Sequence, residues 1–438
     1  MKQQIGLFLF SNDLRLDDNP ALALAASEVD QLICLYCLDP KQPPSSLRAP
    51  SNLSPHRQQF LFASIIDLHN SLKRLNQGLV VTTEPALDII PQLITQHDIG
   101  HIYGSEHAGY YENQNWQLLA KRYPFIKFKR LASHTLFAQS DLPFQLTDLP
   151  TSFSKFRKLV EPLLIKPPLP QPTSMPPSPV APMPLPSNLK TVIQASLFKG
   201  GEQQGRVHLQ RYFDSSLASH YKETRNGLDG MDYSTKFSPW LANGSLSVRR
   251  VIHQLRHYER DREANDSTYW IYFELLWREY YQWYAHHYGV QLFSAKGIKS
   301  SKPNTSFYPE RFQKWCHGNT PYPIVNACMK QLQATGYMSN RGRQLVASCF
   351  VHELGLDWRH GAAYMEQHLV DYDMASNWGN WQYLAGVGAD PRGHRRFDLV
   401  KQAQTYDPKQ LFIKRWGADK NTLPLDSVDA ADWPVFIP

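Results

Sequence analysis

The chain has 438 residues, of which 42% are hydrophobic and 19% charged, a balance that excludes global disorder and supplies core for two or three domains. Lys and Arg total 46 against 39 Asp and Glu, which permits a nucleic-acid or phosphate partner without demanding one. Five scattered cysteines exclude a disulfide framework, and no apolar run reaches the roughly 18 residues of a membrane span.

The first residues, MKQQIGLFLF, carry too short an apolar stretch for a signal peptide, so a cytoplasmic protein without a membrane partner is expected. IGLFLF (5–10) and QLICLYCL (31–38) read as strands. A helical pattern follows over roughly 56–77 and ends at Gly78. LVVTT (79–83), HIY (101–103) and FIKFKRL (125–131) complete a set of five strands. Their apolar residues run continuously rather than alternating, which predicts burial on both faces in a parallel sheet covered by helices. Cys34 and Cys37 form a CxxC inside the second strand. With no second CxxC to complete a zinc site, they read as buried strand residues. Residues 1–130 are thus expected to form an α/β domain.

Residues 131–200 break this rhythm. From Pro162 to Pro186, 11 of 25 positions are Pro, so the segment cannot propagate helix or sheet and is expected to cross the surface as a linker. From residue 201 to 438 the pattern is helical. STYWIYFELLWREYYQWYAHHYG is apolar all round, as a buried helix is. PIVNACMKQLQATG and RQLVASCFVHELGL continue in kind. The fold class is therefore α/β plus all-α, with a long connection between the two parts.

Neither GxGxxG nor GxxxxGK[ST] occurs, which weighs against an ordinary dinucleotide fold or a P-loop. Four segments hold denser chemistry. In YSTKFSPWLANGSLS (233–247), Ser234, Thr235 and Ser238 supply hydroxyls and Lys236 a cation before a helix expected from Pro239. This suits a phosphate, and equally an ordinary capped helix. WREYY (277–281) with Glu274 offers rings and an Arg for base stacking and phosphate contact, or a buried aromatic helix with a paired Arg. NRGRQ (340–344) points to an anion or carboxylate, or to a solvated turn. DYDMASNWGNWQY (371–383) packs two Asp, Asn residues and two Trp together. Acid–base work, metal binding, a flat heteroaromatic ligand and a capped helix end all remain open there.

Together these segments resemble the photolyase/cryptochrome family. FLFSNDLRLDDNPAL (8–22) is similar to that family's FRxDLRLxDNxAL. YKETRNG, STKFSPWLANGSLS, ELLWREYY, YPIVNACMKQLQATGYMSNRGRQ, DW and NWGNWQY then follow in the family's order. NWGNWQYLAGVGADPRG (377–393) and FKGGE (198–202) are similar to the DASH-type cryptochromes, with Tyr383 where pyrimidine-dimer photolyases have Trp and Gln344 in place of a typical Met.

The resemblance implies FAD, bent into a U within a helical FAD- and DNA-binding domain, behind an α/β antenna domain. Tyr221 and the run Ser234, Thr235, Lys236, Phe237 and Ser238 would hold its phosphates. Asp371, paired with Arg343, and Asp373 would face the flavin, and Asn377 would lie opposite flavin N5. It implies blue-light electron transfer from reduced FAD to a cyclobutane pyrimidine dimer, chiefly in single-stranded DNA, where flipping costs least. Glu274, Trp277, Asn340, Arg341, Gln344 and Tyr383 would contact the lesion or its flanks, and Arg225 and Gln402 the backbone. RNA is a further partner class. Trp381, Trp358 and Trp315 would form an electron chain from flavin to surface. A 5,10-methenyltetrahydrofolate antenna would meet Glu106. The sequence departs from the family at Ser11, often Arg, and in the stretch after GGE. Its PRGHRRF carries Arg392, Arg395 and Arg396, a basic loop suited to DNA. The alternative is a blue-light receptor that binds nucleic acid without repairing it.

Overall fold

The computed structural model describes residues 3–38, 53–190, 196–390, 395–420 and 425–426. Five strands, β1 (Ile5–Phe10), β2 (Gln31–Cys37), β3 (Leu79–Thr82), β4 (His101–Ser105) and β5 (Lys127–Leu131), form one parallel sheet in the order β3-β2-β1-β4-β5. Helices α1 (Pro20–Glu28), α2 (Pro55–Arg74), α3 (Ala86–His97) and α4 (Tyr110–Arg122) connect them. Two separate clusters line the sheet. Leu7, Ile33, Leu35 and Ile102 lie in one, and Phe8, Phe10, Cys34 and Tyr103 in the other. This double burial is why the strands carry no polar alternation. Cys34 is fully buried, and burial pushes its thiol well up. The edge strand β5 is the exception. Lys127, Lys129 and Arg130 keep it only partly covered, as suits an open edge.

The helical part comprises α5 (Phe153–Val160), α6 (Glu202–Asp214), α7 (Tyr221–Thr224), α8 (Ser238–Ala242), α9 (Val248–Asp261) and α10 (Asp266–Tyr288). It continues with α11 (Pro309–His317), α12 (Pro323–Thr335), α13 (Asn340–Ser348), α14 (Trp358–His368), α15 (Met374–Leu384), α16 (Leu399–Tyr406) and α17 (Leu411–Arg415). Its centre is α10, 23 residues long, with Tyr280, Trp283 and Tyr284 nearly inaccessible. Asn265 caps it by accepting from the amides of Ser267 and Thr268. Buried Glu279 within it accepts from Leu136 N at 2.8 Å, Phe137 N at 3.4 Å and Trp283 Nε1 at 2.8 Å. Burial outweighs those donors and lifts the carboxyl to about 7. Among the described residues no helix is long and apolar enough to cross a membrane.

Residues 131–200 are more than a surface linker. Phe153, Phe156 and Val160 of α5 are buried in the helical core, and Phe153 stacks on Trp277 with centroids 3.8 Å apart. The proline-rich stretch itself is extended, as expected, yet pinned. Leu169 N donates to Asp18 Oδ1 at 2.9 Å, Gln171 Nε2 to Glu202 Oε1 at 2.6 Å, and Leu32 N to Pro177 O at 3.1 Å. Proline removes local pairing but keeps its carbonyl, and the rest of the fold uses it.

The segment DLRLDDN (13–19) clasps the two parts together. Arg15 is 1% exposed and gives its guanidinium to four carbonyls: Asp17 (2.9 Å), Asp18 (2.9 Å), Gly244 (2.8 Å) and Ser133 (2.7 Å). Asp18 pairs with Arg249 and Asp17 with Arg250. Glu202, the acid of FKGGE, accepts from the amides of Leu16 and Asp17. Gly244 has φ +70°, and a Cβ there would lie 1.8 Å from Asn12 O, so the close approach requires glycine.

Candidate functional site

One cavity of about 530 Å³ gathers side chains from six separate stretches of the helical part. Its lining includes Tyr221, Arg225, Ser234, Thr235, Lys236, Phe237, Ser238, Glu274 and Trp277. Asn340, Arg341, Arg343, Gln344, Asp371, Asp373 and Tyr383 complete the set of expected residues found there. The sequence stretches that carry them are up to 160 residues apart, and the fold brings them to one space.

The loop before α8 is conformationally forced. Ser234 has φ +119° and Lys236 φ +54°, both unusual for residues with a side chain. Lys236 is 5% exposed, and its ammonium donates to Tyr233 O (3.2 Å) and Ser234 Oγ (3.1 Å) above the Tyr337 ring. A buried cation held by one carbonyl and one hydroxyl, with no carboxylate among these partners, is a donor for a phosphate. The helix begins at Ser238, one residue before the expected Pro239, and is only five residues long.

Arg343 Nη2 meets both oxygens of Asp371, at 2.7 and 2.9 Å, with the aspartate side chain 1% exposed. Asp373 caps α15 by accepting from Ser376 N at 2.7 Å and also receives Gln282 Nε2. Two carboxylates stand close in sequence, but each is satisfied by its own donor. Among the described residues no group of three His, Cys, Asp or Glu could hold a metal.

At the more open end, Glu274 is paired with Arg225, whose guanidinium lies 4.4 Å over Trp270. Burial raises the Glu274 carboxyl and Arg225 pulls it back. Arg225, expected on a DNA backbone, is thus engaged inside the protein. Trp277 has one face covered by Phe153 and meets Tyr383 edge-on at 5.9 Å. Arg395 lies 4.5 Å over the Tyr383 ring and is tied to buried Asp390. Arg341 donates to Asn226 Oδ1 at 3.1 Å and lies 4.6 Å over Tyr406, while its Nε is buried without a partner. Asn340 is exposed at the start of α13. Arg278, the cation of WREYY, donates to the carbonyls of His134 and Leu241, so it belongs to the buried-helix reading.

Six of the expected site residues do not line this cavity. Asn377 is half-buried on α15 with its amide donating to Ala362 O at 3.0 Å. Gln402 is half-buried on α16, its Oε1 without a partner. Trp381, Trp358 and Trp315 belong to the core, at 3%, 1% and 0% exposure. The expected order from cofactor to surface therefore fails at its last member. Trp315 packs against Trp381 with centroids 6.3 Å apart, on the inner side of α11, and touches no solvent. Glu106 lies far along the sheet, at the end of β4. It is half-buried, raised by burial, with Arg130 opposing the shift. Arg392 lies outside the described residues.

Asn226, Tyr337, Ser376, Asn380 and Arg395 also line the cavity and were not singled out as contacts of a ligand. Only Arg395 carried a signal, as part of the basic loop.

The family model described as DNA photolyase matches residues 6–176, and that described as the FAD binding domain of DNA photolyase matches 270–434. A curated relative named Cryptochrome DASH from Idiomarina loihiensis is 53% identical, over 99% of this chain and 97% of its own. Another of the same name from Vibrio parahaemolyticus is 52% identical over 99% and 98%. Among solved structures, a Synechocystis cryptochrome is 40% identical and superposes with TM-score 0.88, covering 95% of this chain and 89% of that one. A class III photolyase from Agrobacterium tumefaciens, 25% identical, gives 0.82 over 95% and 87%. The donor set fits the flavin dinucleotide of that domain's description: a buried Lys with hydroxyls for phosphate, and carboxylates and amides for a polar ring.

Proposed function

This chain belongs to the photolyase/cryptochrome family, among the DASH-type cryptochromes, and from that premise we propose that it repairs cyclobutane pyrimidine dimers in single-stranded DNA under blue light. Bound FAD in reduced form supplies the electron that opens the dimer's cyclobutane ring and receives it back afterwards. The observation that carries the reading is the continuity of the cavity. Its buried end holds Lys236, Phe237 and the Arg343–Asp371 pair, and its open end holds Glu274, Trp277, Asn340, Gln344 and Tyr383. A cofactor at the first and an extruded pyrimidine dimer at the second would share one space without intervening protein.

The residues divide the work accordingly. Lys236, Ser234, Thr235 and Ser238, with Tyr221 beside them, neutralise and hold the cofactor's phosphates. Arg343 holds the Asp371 carboxylate in one orientation where water is excluded. Asp373, fixed by the hydrogen bonds from Gln282, presents a polar edge to the ring. Trp277 and Tyr383 flank an apolar slot for the two pyrimidines, and Glu274 and Gln344 reach their polar edges. Arg341 and Gln402, each with an unpartnered buried atom, and Arg225 are the candidates for the strand itself.

Single strands are favoured because little aromatic surface is free to force a duplex open. Phe153 covers Trp277, Arg395 covers Tyr383, and Tyr383 is itself smaller than Trp. For the antenna, we propose 5,10-methenyltetrahydrofolate on the α/β part, with the half-buried carboxyl of Glu106 toward its pterin.

The test is repair of a thymine dimer by the light-reduced protein, in single-stranded and duplex oligonucleotides. Light-dependent repair confined to single strands is expected. Clean photoreduction without repair of either would leave the second reading, a light-responsive nucleic-acid-binding protein. One observation favours that reading: the Arg225 guanidinium already occupies Glu274, the carboxylate that would face the lesion.

A further inference from the structure

Two neighbouring carboxylates line the cavity, and each is bridged by a single nitrogen. Arg343 Nη2 spans both oxygens of Asp371 at 2.7 and 2.9 Å. Gln282 Nε2 spans both oxygens of Asp373 in the same way, at 2.9 and 3.0 Å. The geometry is alike and the charge is not. A guanidinium opposes the charge of the first carboxylate, whereas an amide orients the second and leaves its negative charge unopposed.

The other bond to the Asp373 side chain comes from Ser376 N, which reaches Oδ1 at 2.7 Å. Its described hydrogen bonds therefore come from neutral donors alone. Oδ2 accepts from Gln282 only, so it keeps a lone pair for an N–H of a bound ring. Cations that line the same cavity are engaged elsewhere. Lys236 donates to Tyr233 O and Ser234 Oγ, Arg225 pairs with Glu274, and Arg395 pairs with Asp390. Gln282 itself is 4% exposed on α10 and stands behind the cavity lining, so it reaches a ligand only through Asp373. Close packing around it leaves the amide little freedom to turn away.

We propose that Gln282 is a positioning residue that fixes Asp373 without neutralising it, so that the carboxylate's unopposed charge lowers the reduction potential of the bound flavin. This rests on the flavin reading above, which puts the ring against Asp373. A negative charge beside the ring disfavours adding an electron to it, the more so where water is excluded. The same charge makes the reduced ring a stronger electron donor, which is the direction that repair by electron donation requires. An arginine at position 282 would repeat the Arg343–Asp371 arrangement at the second carboxylate and remove the effect.

The test is made in the dark on the FAD-loaded full chain, with the one-electron midpoint potential read by spectroelectrochemistry and FAD affinity by titration of the apoprotein. In Gln282→Arg the ratio of reduced to oxidised flavin at a fixed applied potential should rise about tenfold, a shift of about +59 mV. Asp373→Asn, which keeps the shape and removes the charge, should shift it the same way. Gln282→Met fills the space without a donor and should weaken FAD binding about fivefold, because Asp373 is no longer held. A wild-type potential in FAD-loaded Asp373→Asn would overturn the proposal, and it decides the matter even where Gln282→Arg fails to fold. Wild-type FAD affinity in Gln282→Met would overturn the positioning role. Both of those results leave the flavin reading intact, whereas a wild-type apoprotein that takes up no FAD would overturn that reading too.

Discussion

Gly361→Ala sets two opposed effects against each other inside α14. In a helix interior Ala is worth about 1 kcal/mol over Gly, so an unobstructed site would be stabilised. Here the added Cβ would lie 2.2, 2.7 and 2.8 Å from Cη2, Cζ3 and Cζ2 of Trp381. Ordinary carbon contacts begin near ~3.5 Å, so the six-membered edge of the indole must retreat by about 1 Å. The ring cannot do this freely, because Trp315 and Phe350 pack against it at 6.3 and 5.5 Å. Overpacking of this kind costs about 1–3 kcal/mol, and the net expectation is destabilisation by up to about 2 kcal/mol. Denaturant unfolding followed by far-UV circular dichroism measures it, with flavin absorbance read on the same samples. Because the displaced ring belongs to the electron chain that the resemblance implies, light-driven flavin reduction should fall along with stability. A Gly361→Ala protein more stable than wild type, with unchanged photoreduction, would refute the reasoning.

Three further outcomes are expected. Arg343→Leu leaves the Asp371 carboxylate unpaired at 1% exposure, so stability should drop by about 3–5 kcal/mol and the purified protein should lose its flavin, as absorbance will tell. Tyr383→Trp enlarges the stacking surface at the mouth of the cavity and should raise duplex repair relative to single-strand repair, measured on matched oligonucleotides. Glu279 is lifted in the folded state from 4.5 to about 7, so the fold binds its proton where the unfolded chain has lost it. Stability should therefore be highest below about 4.5 and fall by about 3 kcal/mol as pH rises through 7. Glu279→Gln, whose amide opposes the three N–H donors, should be less stable by a constant amount and lack this slope in urea titrations.

The motifs of the helical part were legible because neighbours in sequence share a role there. Residues 234–238 and the pair Arg343–Asp371, read as parts of one site, line one cavity. Position in a motif, however, does not reveal what lies opposite. DLRLDDN reads as a functional signature, and it is a clasp of carbonyls and Arg–Asp pairs between the two parts. Arg225 reads as a phosphate contact and is tied to Glu274. Trp315 reads as the surface end of an electron chain, yet α11 turns it inward. Residues 131–160 were missed as structure because α5 is short, and what holds it is packing against α10 rather than helix propensity.

What the sequence by itself determined is local and periodic. Unbroken apolar strands dictate a doubly covered parallel sheet, and an all-round apolar run dictates a central buried helix. The proline-dense stretch dictates an extended crossing. What only the tertiary structure decided is which side of each aromatic faces solvent and which carboxylate each arginine finds. Those depend on contacts between residues far apart in the chain, where packing at crystal-like density leaves each side chain one place and one set of neighbours.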